Sequence, residues 1–332
     1  MHMEKERSTK EKVLSLLESR NMNFVSGQEI ANTLFITRAG IWKAVKALRE
    51  EGYNIEAVNN RGYRLVLDKD ALIKTKIEEL VSDKSVKVLV YDELESTNDT
   101  AREFALKGED RLVIISDYQS KGKGRRGRSF LSPKGTGLYM SFLLRPNMDV
   151  SKATRITCMM AVAACKAIEK VTKKEPKIKW VNDLYMEEKK ISGILTEGHL
   201  SMEDGSLSHV IVGIGINMYA PPEGFPDDLK DKAGVLFPEG QIDTNLRNEI
   251  CAAVINEFME LYEQGESADF IEDYRKRSNL IGSFVKIIPS GLEPLKGYAK
   301  VCGIDDEFRL LVEHESGKRE ALSTGEVSVV KY

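Results

Sequence analysis

The stretch from Gln119 to Ser141, which reads QSKGKGRRGRSFLSPKGTGLYMS, constrains the fold of this chain more than any other. Glycines there let the backbone approach a ligand closely and turn its N–H groups toward it. Arginines supply planar donors that suit phosphate or carboxylate. No ordinary core segment has this composition, so we interpret it as an anion-binding loop of an active site that runs into an apolar strand from Leu138. Its first half sets five cations among three glycines, namely Lys121, Lys123, Arg125, Arg126 and Arg128 among Gly122, Gly124 and Gly127.

This loop has two alternative interpretations. Its glycines match the dinucleotide-binding pattern G-x-G-x-x-G behind the strand-like run Leu112 to Ser116. That pattern should open a helix, whereas Pro133 and Gly135 follow here and a strand comes next. A solvated basic loop is the second alternative, and the interleaved glycines argue against it.

Composition sets the broad class of protein. The chain has 332 residues, of which 42% are apolar and 30% are charged, and its formal charge is only −3. This is enough material for two or three soluble domains. Four separated cysteines without C-x-x-C spacing suggest neither a zinc site nor a disulfide framework, and no long apolar segment suggests a membrane span. We therefore expect a cytoplasmic protein with no membrane partner.

The amino-terminal residues predict a DNA-binding domain. Ser8 and Ser26 each precede a glutamate by three residues and a set of apolar positions, which is the capping-box signature of a helix start. Thr37 caps a third helix that runs to about Glu51. Two short alternating runs joined by a turn follow, from Tyr53 and from Tyr63. Three helices and a two-stranded wing over residues 1–67 are typical of a winged helix-turn-helix.

The third predicted helix has one apolar and one cationic face. Helical spacing turns Ile41, Ala44, Val45 and Leu48 inward. Trp42 is interpreted as a packing residue, and a helical protein-interaction module remains the alternative to a DNA-binding domain. The residues predicted to contact operator DNA are Arg38, Ala39, Lys43 and Lys46 on the outer face and Arg61 on the wing.

The middle of the chain predicts a mixed α/β catalytic domain over residues 84–279, after a linker and first helix at 68–83. Ser96, Thr97 and Asn98 follow a strand, where they can cap a helix or bind a polar ligand. The run IKWVNDLY places Lys179 on a short strand beside Trp180. A later strand ends as GIGIN, and glycines inside a strand indicate the close approach of another backbone or a ligand.

Residues 280–332 change to short strands separated by turn residues, which predicts a small SH3-like β-barrel. The predicted fold class is therefore α+β, with a winged helix-turn-helix, a central mixed-sheet domain and a carboxy-terminal barrel. The sequence leaves open whether the barrel is a stability cap or contributes to binding.

Three runs in this order, GKGRRGRSFLSPKGTGLYMS, KWVNDLY and GIGIN behind a winged helix, resemble the bifunctional biotin protein ligases that also repress biotin-synthesis genes. The resemblance covers nearly the whole chain. It implies a central sheet like that of class II aminoacyl-tRNA synthetases. It also implies that biotin and ATP, with Mg²⁺ carried by the phosphates, give biotinyl-5′-AMP. The biotinyl group then passes to a lysine of a biotin carboxyl carrier protein, and biotinyl-5′-AMP acts as corepressor of a DNA-binding homodimer.

The resemblance also implies roles for single residues. Lys179 and Arg125 correspond to the catalytic cations, and no protein-held metal is expected. Biotin contacts are implied for Ser96, Thr97, Asn98, Gln119, Gly122, Lys123, Arg125, Lys179, Gly213 and Gly215. Contacts with ATP or the adenylate are implied for Arg125, Arg126, Arg128 and Asn217.

The chain departs from the family pattern at three positions. Lys123 stands where arginine is usual, Phe130 where tryptophan is usual and Val181 where proline is usual. A lysine cannot form a bidentate fork, so a looser contact is expected at Lys123. Two alternative functions remain open, a non-catalytic repressor that senses a ligand and a lipoate protein ligase.

Overall fold

The computed structural model describes residues 8–20, 23–51, 53–66, 70–146, 149, 153–200, 207–240, 245–267, 269–289, 297–323 and 327–331. The predicted boundary at residues 67 and 68 lies outside these ranges. None of the described helices is both long and apolar enough to cross a bilayer.

The amino-terminal residues fold as the predicted winged helix-turn-helix. Side-chain caps fix the starts of its second and third helices. The Ser26 hydroxyl accepts from the Glu29 amide at 3.0 Å, and the Thr37 hydroxyl accepts from the Gly40 amide at 3.1 Å. Val13 of the first helix and Leu48 of the third lie in one buried apolar cluster. The elements are α1 (Thr9–Ser19), α2 (Gly27–Leu34), α3 (Arg38–Glu50), β1 (Ile55–Val58) and β2 (Gly62–Leu65).

A seven-stranded mixed sheet forms the central domain. Its strand order is β3-β4-β5-β9-β8-β7-β6, in which β3 and β4 are parallel and the other neighbours are antiparallel. The strands are β3 (Lys87–Tyr91), β4 (Leu112–Ser116), β5 (Gly137–Leu144), β6 (Lys177–Lys179), β7 (Asp183–Met186), β8 (Lys189–Leu200) and β9 (Leu207–Asn217). The helices are α4 (Lys74–Leu80), α5 (Thr97–Leu106), α6 (Ala153–Thr172), α7 (Leu246–Glu263) and α8 (Ile271–Arg277).

Helices cover both faces of this sheet. On β4, Val113 and Ile115 join the large core that contains α6 and α7, whereas Leu112 and Ile114 join a second cluster with Ala101 of α5. Alternate residues of a strand point to opposite faces, so β4 is buried on both sides and is apolar up to its last residue, Ser116. This arrangement places the start of α5 on the face opposite α6 and α7.

The segment between the first two domains is held at defined contacts. Leu72 belongs to the central core and Ile73 to the winged-helix core. The Asn248 side chain accepts from the Ile73 amide at 2.7 Å and donates to the Ala71 carbonyl at 2.7 Å. Both domains are thereby attached to α7.

The carboxy-terminal strands are antiparallel in the order β13-β12-β11-β10-β14. Over the described residues they form one open sheet, so the prediction of an SH3-like barrel holds in strand number and position, without observed closure. The Trp180 indole donates to the Phe308 carbonyl at 2.8 Å and joins this sheet to the central domain. The strands are β10 (Phe284–Pro289), β11 (Gly297–Ile304), β12 (Leu310–His314), β13 (Arg319–Leu322) and β14 (Val327–Lys331).

Candidate active site

A cavity of about 480 Å³, counted to its open mouth, lies at the start of α5 beneath the glycine-arginine loop. Its floor is the middle of β9 and the adjoining part of β8. The predicted site residues that line it are Ser96, Thr97, Asn98, Gln119, Lys123, Arg125, Gly213 and Gly215. The structure thus brings together predicted residues from three separate segments of the sequence.

The start of α5 forms the polar end of the cavity. Ser96 is the N-cap of this helix, as its capping position predicts. The Gln119 side-chain oxygen accepts from the Thr97 amide at 2.8 Å and from the Thr97 hydroxyl at 3.1 Å. The Gln119 amide nitrogen donates to Ser132 at 2.9 Å. These bonds fix the amide of Gln119 at the cavity wall.

Asn98 is buried against Gly213 of β9. Its amide nitrogen donates to Glu197 at 2.7 Å, and its oxygen accepts from the Ser141 hydroxyl at 2.6 Å. A Cβ atom built at Gly213 would lie 2.2 Å from the Asn98 oxygen. The glycine in the predicted GIGIN strand is therefore required for the approach of Asn98 to the sheet.

An apolar wall follows beside this polar end. The Phe130 ring lies on Gly215, where an added Cβ would be 2.4 Å from the ring. Tyr139 meets Phe130 edge-on, with the ring centroids 6.4 Å apart. Met140 and Ile194 complete the apolar lining. Phe130 was noted in the sequence only as a departure from the family pattern, and its place in the cavity was not predicted.

The glycine-arginine loop folds back on itself over the cavity. The Gly124 amide donates to the Arg128 carbonyl at 2.7 Å, and Arg126 has a φ of +58° in the short 3-10 turn between them. Arg125 turns into the cavity, whereas Arg126 and Arg128 are exposed and do not line it. Gly122 does not line the cavity either. A Cβ there would lie 2.3 Å from the Phe130 carbonyl, so Gly122 permits the loop to close.

Two cations line the inner part of the cavity, one from the loop and one from the sheet beneath it. Arg125 donates to the Asn182 side-chain oxygen at 2.8 Å, and burial lowers the pKa of its guanidinium. Lys190, on β8, lies 2.6 Å from the Asp183 carboxylate. Both Asn182 and Lys190 line the cavity, and neither was predicted as a site residue.

Lys179 does not take the place expected of it. It lies on β6, the outermost strand of the sheet, and is absent from the cavity lining. Its amine is 3.5 Å from the Tyr185 hydroxyl and 5.2 Å from the centroid of that ring. The geometry therefore does not support a role for Lys179 at the reacting groups.

Asn217 and Lys123 lie at the margins of the site. Asn217 ends β9 and donates to the Gly234 carbonyl at 3.0 Å, outside the cavity lining. Lys123 lines the cavity mouth and lies 2.5 Å from Asp99. Burial opposes ionisation of Asp99, but hydrogen bonds from Lys123 and Arg102 outweigh it and lower the pKa of that carboxyl.

The residues predicted to contact DNA lie on a separate surface. Arg61, at the wing tip, stacks over the Phe24 ring at 4.3 Å. The side chains of Arg38, Ala39, Lys43 and Lys46 are all exposed along α3. The interpretation of Trp42 as a packing residue is wrong, because 58% of this side chain is exposed.

Fold and cavity together define an enzyme domain for a small ligand with a polar end, an apolar part and a negative charge, attached to a DNA-binding domain. Residues 90–217 match the family model described as "Biotin/lipoate A/B protein ligase family". Residues 9–64 match the model described as "HTH domain".

Whole-length relatives combine these two parts. The "Bifunctional ligase/repressor BirA" of Bacillus subtilis is 34% identical over 327 residues, which cover 96% of this chain and 98% of the relative. The protein of the same name from Escherichia coli is 31% identical and covers 96% of both chains. The structure of "Biotin protein ligase from Aquifex aeolicus in complex with biotin and ATP" matches with a TM-score of 0.62 and 28% identity, over 74% of this chain and 99% of that one. The chain belongs to the family of bifunctional biotin protein ligases and repressors.

Proposed function

We propose that this protein joins biotin to ATP, transfers the biotinyl group to a lysine of a biotin carboxyl carrier protein, and represses transcription of biotin genes. The observation that carries the enzymatic part is the composition of one cavity. A polar end, an apolar wall and two cations follow one another there, in agreement with the bicyclic head, alkyl chain and carboxylate of biotin.

The polar end suits the ureido group of biotin. Asn98 uses one N–H for Glu197, so its second N–H is the donor that we assign to the ureido oxygen. Thr97 and Gln119 hold each other in place beside it. The alkyl chain then lies along the Phe130 ring, which itself occupies the space that a side chain at Gly215 would fill.

Arg125 and Lys190 act on the charge that develops during the first reaction. A carboxylate oxygen of biotin bonds to the α-phosphorus of ATP, the bond from that phosphorus to the bridging oxygen breaks, and pyrophosphate leaves. Negative charge builds on the phosphoryl oxygens, and fixed cations stabilise it without a covalent enzyme intermediate. ATP enters as its Mg²⁺ complex, which is a substrate and needs no protein ligand set.

The second reaction needs no further nucleophile from this chain. The acceptor lysine attacks the acyl carbon of biotinyl-5′-AMP, its proton is lost to water, and AMP leaves with the bonding pair. Arg125 remains beside the departing phosphate. We assign the role first expected of Lys179 to Lys190, because Lys190 reaches the cavity and Lys179 contacts Tyr185.

The repressor part rests on the winged helix. A single module contacts only a few base pairs, so specific binding calls for two copies on an inverted repeat and a dimer of matching symmetry. Biotinyl-5′-AMP accumulates when carrier protein has been used up, and it is therefore the suitable signal of sufficiency. Because operator DNA is the proposed partner, we propose that both activities take place in the compartment that holds the genome, the cytoplasm of a bacterial cell.

Incubation with labelled biotin, MgATP and a biotin carrier domain tests the enzymatic proposal. We expect label on the carrier lysine and none on a carrier in which that lysine is replaced by arginine. A parallel incubation with labelled lipoate distinguishes the other activity named by the matched family. Biotin binding without transfer would instead support a non-catalytic sensor.

Sedimentation of the full chain, with and without biotinyl-5′-AMP, tests the proposed homodimer. By linkage, the factor by which the ligand strengthens dimerisation equals the factor by which the dimer binds this ligand more tightly than the monomer does. The coupling free energy is typically about 1–3 kcal/mol. Equal dimerisation constants in the two states would remove the adenylate as corepressor and leave the ligase activity unaffected.

A further inference from the structure

The two tryptophans of this chain lie in opposite environments. Trp180 is 8% exposed and donates a hydrogen bond to Phe308, whereas Trp42 is 58% exposed on α3. Burying apolar surface is what stabilises a fold, so an exposed tryptophan contributes little to stability and is available to a partner. The question is which partner this ring contacts.

Trp42 lies within a row of cations. Arg38, Trp42 and Lys46 are spaced four residues apart, so they follow one another along the same side of α3. The Lys46 amine lies 5.8 Å from the centroid of the Trp42 ring. Lys43 is exposed beside it. An apolar ring among three cations matches a polyanion that also offers apolar groups.

The opposite side of α3 fixes this orientation. Ile41, Ala44, Val45 and Leu48 are buried in the winged-helix core, and the helix packs on α1, α2 and β1. Thr37 caps its first turn, so Trp42 lies in the second turn from the start of α3. In a helix-turn-helix, base contacts come from the amino-terminal part of this helix, which enters the major groove.

DNA offers one apolar group in the major groove, the 5-methyl group of thymine. We propose that Trp42 reads the operator by packing its indole ring on thymine methyl groups, while the neighbouring cations contact phosphates. This inference rests on the proposed repressor function. It assigns sequence preference to Trp42 and uniform, salt-dependent affinity to Arg38, Lys43 and Lys46.

The test uses the full-length protein with saturating biotinyl-5′-AMP and DNA sites that it selects from a random pool. Each thymine of a selected site is replaced singly by deoxyuridine, which removes only the methyl group, and dissociation constants are measured at fixed salt by fluorescence anisotropy. Because one buried carbon is worth about 0.8 kcal/mol, we expect a loss of roughly fourfold at one or two thymines in each half-site.

Trp42→Ala should bind the thymine-containing site more weakly than the wild type does. Removal of the methyl groups should then change the dissociation constant of this variant by less than about 1.5-fold, because the ring and the methyl group form one contact. Trp42→Phe should keep part of the methyl dependence. Lys43→Gln should weaken every probe equally and lower the salt dependence. The matched control is Tyr298→Ala, which removes an exposed ring from β11 and should leave all dissociation constants unchanged.

Unchanged melting temperature and sedimentation of Trp42→Ala check that the variant is folded and assembled as the wild type. Three results would overturn the inference: no methyl-sensitive thymine in the wild type, wild-type affinity of Trp42→Ala, or the same methyl dependence in both proteins. If the wild type selects no DNA sequence at all, the repressor function itself fails, and the role of Trp42 fails with it.

Discussion

Gly213→Ala is the substitution whose effect can be worked most directly from the structure. The new Cβ atom would lie 2.2 Å from the Asn98 oxygen and 3.0 Å from its Cγ, whereas ordinary contacts begin near 3.4 Å. Asn98 must therefore move by about 1 Å, which disrupts its bonds to Ser141 and Glu197. That movement also displaces the N–H group assigned to the ureido oxygen, and a buried polar group left without its partner costs about 1–3 kcal/mol. We expect the dissociation constant for biotin to rise roughly 5- to 150-fold, at a tenfold change per 1.4 kcal/mol.

Titration calorimetry with biotin measures this effect, and the double variant Asn98→Ala/Gly213→Ala tests its route. Because the methyl group acts through Asn98, the double variant should bind biotin no more weakly than Asn98→Ala alone. Gly303→Ala is the matched control, since a Cβ on that strand would meet its nearest neighbour, Leu311, at 3.9 Å. Wild-type affinity of Gly213→Ala, or additive losses in the double variant, would refute this account of the polar end.

Three further perturbations test the cavity, the domain division and the segment between domains. Lys190→Ala should slow adenylate formation, measured by pyrophosphate release, by roughly 10²- to 10³-fold. Lys179→Ala should slow it by less than about threefold. If Lys179→Ala has the larger effect, Lys179 and not Lys190 stabilises the charge on the phosphoryl oxygens. Removal of residues 1–66 should abolish DNA binding and preserve biotin transfer. DNA binding of the full chain should weaken steeply as the salt concentration rises, and a salt-independent affinity would exclude phosphate contacts. Burial raises the pKa of Asp70 from 3.8 to about 6, so wild-type stability should fall by roughly 2–3 kcal/mol as the pH rises from about 4 to about 7. Asp70→Asn cannot ionise, and urea unfolding should show this part of the pH dependence lost; an unchanged difference between the two proteins across that range would refute the shift.

Local signals made the winged helix predictable. Ser26 and Thr37 act as caps through atoms three residues away, so the sequence alone contains the interaction that sets each helix start. The same holds for Gly213 and Gly215, because a strand glycine already indicates close approach. These elements needed no knowledge of distant contacts.

The lysines show where sequence reasoning stopped. Lys179 ends the three-residue β6 and Lys190 is the second residue of the twelve-residue β8, so the two lysines flank the same hairpin region. Only the strand order distinguishes them, since β6 is the edge of the sheet and β8 pairs with β9 beneath the cavity. That order depends on contacts far apart in the chain. A signal for Lys190 did exist, because Gly193 follows it closely on the same strand.

Trp42 shows the opposite case, in which the pattern already held the answer. Buried positions at Ile41, Ala44, Val45 and Leu48 define the inner face of α3, and position 42 lies off that face. The large apolar side chain favoured the packing interpretation, although the helical spacing excluded it. On α3 the position of a residue along the helix, and not its residue type, determines which side chains are buried.

A buried network at Arg247 joins the central sheet to the segment that follows the winged helix. This guanidinium is 1% exposed and donates to Asp117 at 2.6 Å and to the Gly137 carbonyl at 2.7 Å, at the ends of two central strands. Its backbone amide donates to Asp70 at 2.6 Å, and the Tyr219 hydroxyl donates to the other oxygen of the same carboxyl at 2.6 Å. Tyr219 follows the strand that forms the cavity floor, and Asp70 lies in the segment that leads from the winged helix. The Asp70 carboxyl therefore joins two parts of the chain through hydrogen bonds, the turn after the cavity-floor strand and the segment that follows the winged helix.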